Sequence, residues 1–256
     1  MEWRDAGIVL RVRRHGEAHV VASLLTASHG RQSGLIKGGA SRNRRGQLEP
    51  GTIGVATWQA RLEDQLGSLS FEPLEATAPD LLSDPDRLFA LSSACAMLEA
   101  TASERMPVPE LYDATLALLA ALRDGAPLEV YVRWELALLS GLGFGLDLGV
   151  CAVSGSAEDL QYVSPRTGRA VSAAAAGVYR DRLLPLPEFL RPGRNETPAD
   201  ALMLEQGLTL TGFFLVRHAL LPVRQTRPGL PEARTLLLSR LQRLAERGVK
   251  EMTLPD

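Results

Sequence analysis

Cysteine is nearly absent from this chain of 256 residues: Cys95 and Cys151 are the two it has, too few for a disulfide framework. Long uncharged apolar runs are missing as well. Leu136–Leu146 and Gln206–Val216 reach eleven residues each, well short of the roughly 20 that a bilayer-spanning helix needs. The opening Met1-Glu2-Trp3-Arg4-Asp5 is charged where a signal peptide would be basic and then apolar. A soluble chain in the cytoplasm, with no membrane partner, is expected. A surplus of one charge sign is also lacking. The net charge of −2, taken alone, argues against nucleic acid as a partner.

The distribution of that charge argues the other way. Residues 1–50 hold nine basic groups against four acids, a surplus of +5; of the 28 basic and 30 acidic groups in the chain, 19 and 26 then remain, a balance of −7. A protein needs a positive field only where phosphates lie, so a basic end on an acidic body suits one nucleic-acid face and one protein-contacting body. The alternative is a solvated strand edge kept soluble by arginine. The 45% hydrophobic and 23% charged content is that of a globular protein, long enough for one large domain or two small ones.

Strand-like segments fill residues 3–77, at about 6–14, 19–27, 31–37, 52–60 and 66–76. In the first, Ile8, Leu10 and Val12 alternate with Arg11 and Arg13, which predicts a core side and a cationic side. Five strands in this length fit an OB-fold, and an SH3-like barrel would read the same way. Beyond Pro79 the period becomes helical. Ser83-Asp84-Pro85-Asp86 is a capped helix start, followed by helices from about Pro109 to Arg123, from about Pro127 through Trp134 and Leu138, from Thr197-Pro198 to about Leu220, and from Pro231 to Gly248. Residues 147–196, rich in Gly, Pro, Ser and Ala, have little periodicity.

The N-terminal order of Gly7-Ile8-Val9-Leu10, a strand ending Leu24-Leu25-Thr26, then His29-Gly30, then Lys37-Gly38-Gly39, resembles the start of the RecO family of recombination mediators. The resemblance extends more loosely over nearly the whole chain. It implies an α+β protein of two parts: an N-terminal five-stranded OB-fold barrel over 1–80 and an all-α helical domain over 81–256, with an insertion at about 147–180. In many relatives that insertion is a four-cysteine zinc ribbon. Here the four places hold Cys151, Ser154, Ser172 and Ala175. Alanine cannot ligate, and His15, His19, His29 and His218 lie elsewhere, so a degenerate, metal-free ribbon is expected, held by packing of Tyr162, Val163, Val171 and Tyr179.

Catalytic chemistry is not expected. His15, His19 and His29 sit at a turn and at strand ends near Glu17 and Ser28, without a sequence pattern that holds a base against a nucleophile. Gly34-x-x-x-Gly38-Gly39 lacks the Lys-Ser/Thr pair and the helix of a phosphate loop. Gly141, Gly143 and Gly145 read as a helix end and a bend. The arginines are the stronger signal. Arg42, Arg44 and Arg45 in a Gly-flanked loop can reach phosphates or stack on bases, and Arg11, Arg13, Arg14, Arg31 and Lys37 would extend the track across the sheet. Trp58 would offer a stacking face or belong to the core.

What the resemblance implies is a non-enzymatic protein without cofactors, cytoplasmic and nucleoid-associated. It would bind single- and double-stranded DNA, anneal complementary strands, contact the C-terminal tail of the single-strand-binding protein, and with RecR help load RecA. For that acidic tail, Arg133 beside Trp134, Leu136, Leu138 and Leu139 is the candidate cation, unless it pairs with Glu129 one turn earlier. The competing function is a protein-binding scaffold whose arginines serve acidic partners. A nuclease would need a carboxylate cluster, which the sequence does not display.

Overall fold

A computed structural model describes residues 1–62, 65–193, 198–221 and 229–253. Five strands, β1 (Glu2–His15), β2 (His19–Thr26), β3 (Gly30–Ile36), β4 (Thr52–Gln59) and β5 (Gly67–Ala76), close into a barrel in the order β1-β2-β3-β5-β4. β3 runs parallel to β5 at Gly34 and Leu35, and the other pairings are antiparallel. This is the OB arrangement, and it decides against the SH3-like alternative.

β1 does not alternate as its sequence suggests. Its pairing with β2 shifts between Val9 and Arg11, and this bulge inverts the parity of the strand. Val9 joins the barrel core with Val20, Ala22, Leu24, Ile36, Trp58, Leu69 and Phe71, and Val12 packs against it. Ile8 is buried outside that cluster, on the strand that the first long helix covers. Ile8, Leu10 and Val12 therefore do not share one face. The bulge also lets one long strand serve two neighbours, β4 along its first half and β2 along its second.

The covering helix is α2 (Pro85–Thr101); a single turn, α1 (Arg42–Arg45), precedes β4. Asp84 caps α2 as the sequence predicts, its carboxylate accepting from the Asp86 and Arg87 amides at 3.1 Å, with Pro85 in the first turn. Its buried face, Leu91, Ala94, Cys95 and Leu98, packs on β1; burial pushes the Cys95 thiol up to about 12. α3 (Pro109–Arg123) completes a compact unit, Met1–Ala126. The change of texture near residue 80 thus separates strands from helices, whereas packing groups the first two long helices with the barrel.

The second unit, Pro127–Asp256, is built on α4 (Glu129–Gly141), α6 (Ala201–Phe214) and α7 (Glu232–Thr253). It is not purely helical. Between α4 and α6 lies a small sheet, order β7-β6-β8, of β6 (Leu160–Val163), β7 (Ala170–Ser172) and β8 (Leu184–Pro185), with a one-turn α5 (Ala173–Ala176). α6 starts later than expected, capped by the Asp200 carboxylate on the Met203 amide at 2.7 Å; Thr197 lies outside the described residues. Glu135 of α4 and Arg234 of α7, both 0% exposed, form a bidentate pair. Tyr131 and Thr211 donate to the same carboxylate, and Arg234 donates also to the Leu208 carbonyl at 2.7 Å.

Candidate nucleic-acid interface

The expected arginine track is divided by the fold. Arg11 and Arg14 leave β1 beyond the bulge, and Arg45 comes from α1, formed because Ser41 O accepts from the Arg44 and Arg45 amides at 3.1 Å. These three line a groove of about 410 Å³ together with Leu10, Val12, Val20, Pro50 and Glu49. Arg45 Nε donates to the Ala40 carbonyl at 3.2 Å, which fixes the direction of its guanidinium. Arg42 and Arg44 are exposed on the same turn.

Arg13 and Arg31 are engaged elsewhere. Arg31 is 16% exposed; its Nε donates to the Ala102 carbonyl at 2.9 Å, and Nη1 lies 3.1 Å from Glu104 and 3.6 Å from Glu99. Arg13 is 3.5 Å from Glu99, whose other oxygen accepts from Ser23 at 2.5 Å. Glu99 is thus a neutralising group that sequence reasoning missed, because nothing local to α2 marks it as a strand partner. Lys37 stands apart, in a cleft of about 780 Å³ that Gln59, Arg61 and Gln65 also line. Arg61 was missed too, although a basic residue just beyond a strand was a visible signal. Trp58 is core, 2% exposed.

In the second unit, Arg133 Nη2 donates to the Phe189 carbonyl at 2.8 Å, and its guanidinium lies 6.0 Å from the Phe189 ring centre. Arg133, Leu136, Leu148, Phe189 and Arg191 line a cavity of about 330 Å³. Glu129 turns its carboxylate to the Ala199 amide at 2.6 Å. Trp134, Leu138 and Leu139 are buried in the core rather than in this cavity.

The fold brings two of the four ribbon positions, Cys151 and Ser172, into contact. Cys151 is 1% exposed; its sulfur accepts the Ser172 amide at 3.3 Å and lies 3.5 Å from the Ser172 hydroxyl. Burial pushes the thiol up, but hydrogen bonds from Ser154 and Ser172 outweigh it and hold the group down at about 6. One thiolate, two hydroxyls and the methyl of Ala175 do not make the tetrahedral shell of structural zinc, so zinc does not fit these residues. Val163 and Val171 are buried as packing groups, whereas Tyr179 is 61% exposed and does not hold the segment.

A closed OB barrel edged by arginines, joined in one chain to a helical unit with a thiolate-poor ribbon, defines a protein of the barrel-plus-helix class. Comparison with known proteins narrows this. The profile for the recombination protein O N terminal region matches residues 1–76 and that for its C terminal region matches 82–227. The chain is 52% identical to the DNA repair protein RecO of Rhodospirillum rubrum, covering 95% of this chain and 97% of that one. It is 49% identical to that of Cereibacter sphaeroides (95% and 99%) and 44% identical to that of Methylocella silvestris (98% and 100%). The chain belongs to the RecO family of DNA repair proteins.

Proposed function

We propose that this chain is a non-enzymatic mediator that binds single- and double-stranded DNA through the groove of Arg11, Arg14 and Arg45, extended by Arg42 and Arg44. On this reading it anneals complementary strands and, with RecR and the tail of the single-strand-binding protein, helps load RecA in the cytoplasm, at the nucleoid. The observation that carries it is the convergence of three arginines from two separate segments on one open groove of the barrel. Arginine forks suit phosphate oxygens, and an OB barrel is a frequent platform for single strands.

Replacing Arg11, Arg14 and Arg45 together by alanine tests it. Binding to random-sequence oligonucleotides should weaken, and the slope of log affinity against log salt should flatten by roughly 0.7 for each phosphate no longer neutralised. A wild-type chain that binds no oligonucleotide would instead support the protein-only scaffold. For the acidic tail, the Arg133–Arg191 cavity offers two cations beside Leu136 and Phe189, which suits a terminal carboxylate next to an aromatic side chain. Peptide affinity of Arg133→Ala should fall, and an unchanged affinity removes this residue from the site.

A further inference from the structure

The barrel end where β1 begins carries a second arrangement, which shares no lining residue with the arginine groove. Trp58 is the inner ring of a three-ring stack: Trp3 lies on it with centroids 5.8 Å apart and planes within 13°, and His29 lies on Trp3 at 4.3 Å and 10°. Gly67 makes the inner position possible, since a Cβ there would fall 2.3 Å from the Trp58 ring. The outer ring is fixed. His29 Nδ1 is 2.9 Å from the Asp5 carboxylate, which also accepts the Ser28 amide at 2.7 Å, and the imidazole is 36% exposed.

Beside the stack is a cavity of about 150 Å³ lined by Trp3, His29, Trp58, Gln32 and Arg105 among others. Its far wall is held in place. The Arg105 amide donates to the Arg31 carbonyl at 2.9 Å, Arg105 itself sits at φ 60°, and Met106 packs so closely on Gly30 (φ 67°) that a Cβ would lie 2.3 Å from its carbonyl oxygen. Gln32 Nε2 makes a long hydrogen bond, 3.4 Å, to the Ser33 carbonyl. The cavity is therefore lined by aromatic surface, by a side-chain amide with donors and acceptor and by Arg105. Its volume is well below the roughly 300 Å³ of sites for drug-sized ligands, which limits the occupant to a single small ring system.

We infer that this cavity receives one unstacked nucleobase of a DNA strand, with the Trp3–His29 stack as its aromatic wall and Gln32 and Arg105 at its polar edge. The inference rests on the DNA-binding function proposed above. An aromatic side chain of a protein partner would also suit the wall. It would set the Gln32 amide, whose hydrogen bond to the Ser33 carbonyl is long, against an apolar ring edge, which is unfavourable, whereas a base has hydrogen-bonding edges as well as a π-face.

The test uses the full chain with oligothymidylate and with an abasic strand of the same length and phosphate charge, following tryptophan fluorescence and affinity. The base-bearing strand should bind about tenfold more tightly, within the range for stacking one base, and should quench the tryptophans. His29→Ala and Gln32→Leu should each remove most of that advantage while leaving abasic affinity and the salt slope alone; His29→Phe, which keeps a ring on the stack, should retain it. Circular dichroism and melting curves check the fold, and if His29→Ala unfolds, Gln32→Leu and His29→Phe carry the comparison. Equal affinity for the two strands without quenching overturns the base pocket and leaves the arginine groove standing. Binding of neither strand overturns both. Quenching by an aromatic peptide but by neither strand assigns the cavity to a protein partner and overturns the inference as well.

Discussion

Arginine is used in opposite ways in the two units. In the barrel unit Arg11 and Arg14 stand in solvent at a groove, their charge directed outward. In the helical unit Arg234 is 0% exposed and locked to Glu135, whose carboxylate also accepts from Tyr131 and Thr211. Arg31 lies between these extremes, mostly buried and facing two carboxylates. A buried guanidinium has lost its water and is held there by its partners, so its charge is neutralised inside the fold. An exposed one keeps its charge for a ligand, although salt screens it.

Removing half of the buried pair should break this contrast most strongly. Glu135→Ala leaves Arg234 charged and uncompensated, and urea unfolding should show a loss of about 3–5 kcal/mol. Arg11→Ala should stay within about 0.5 kcal/mol of wild type in the same experiment; a comparable loss there would mean that the groove arginines are structural. Arg31→Ala should fall between them, at about 1–3 kcal/mol, because the Ala102 carbonyl, Glu99 and Glu104 lose their shared donor. Its salt slope on DNA should not move, and a flattened slope would return Arg31 to the phosphate track.

Cys151 sharpens the comparison through pH. Its thiol is held at about 6 in the fold against an ordinary value of 9.0, so the thiolate stabilises the folded state as pH rises above 6, and that contribution is lost as pH falls through 6. Wild type should therefore gain on Cys151→Ser by about 1 kcal/mol between pH 6 and pH 7, read from melting curves of both at each pH. Curves that stay parallel would show that the sulfur is not ionised. The smallest effect expected is none: EDTA should leave the melting temperature unchanged, since Ser154, Ser172 and Ala175 supply no thiolate. A chelator-induced drop that zinc reverses would reveal ligands outside this set.

Much of this was legible in local pattern. The spans of β2 to β5, the Asp84 cap and the limits of α3 follow from alternation, capping chemistry and proline placement, which act over a few residues. The residues at 151, 154, 172 and 175 are read directly as well, although that these are ribbon positions is what the resemblance to the RecO family implies. The parity of β1 was not legible: a bulge depends on what both neighbouring strands require, and one strand's alternation carries no trace of it.

The amino-acid sequence by itself determined the barrel strands and the long helices, their order, the basic character of the N-terminal segment and the presence of a single cysteine in the 147–180 segment. Only the tertiary structure decided which arginines are available. Barrel closure and the seating of α2 set Glu99 against Arg13 and Arg31 while leaving Arg11, Arg14 and Arg45 on one groove. The same holds for the Trp58–Trp3–His29 stack, drawn from three strands or their connections, and for Glu135 with Arg234, 99 residues apart. Periodicity and capping are short-range effects, whereas ion pairing and ring stacking depend on distances that exist only once the chain has closed on itself.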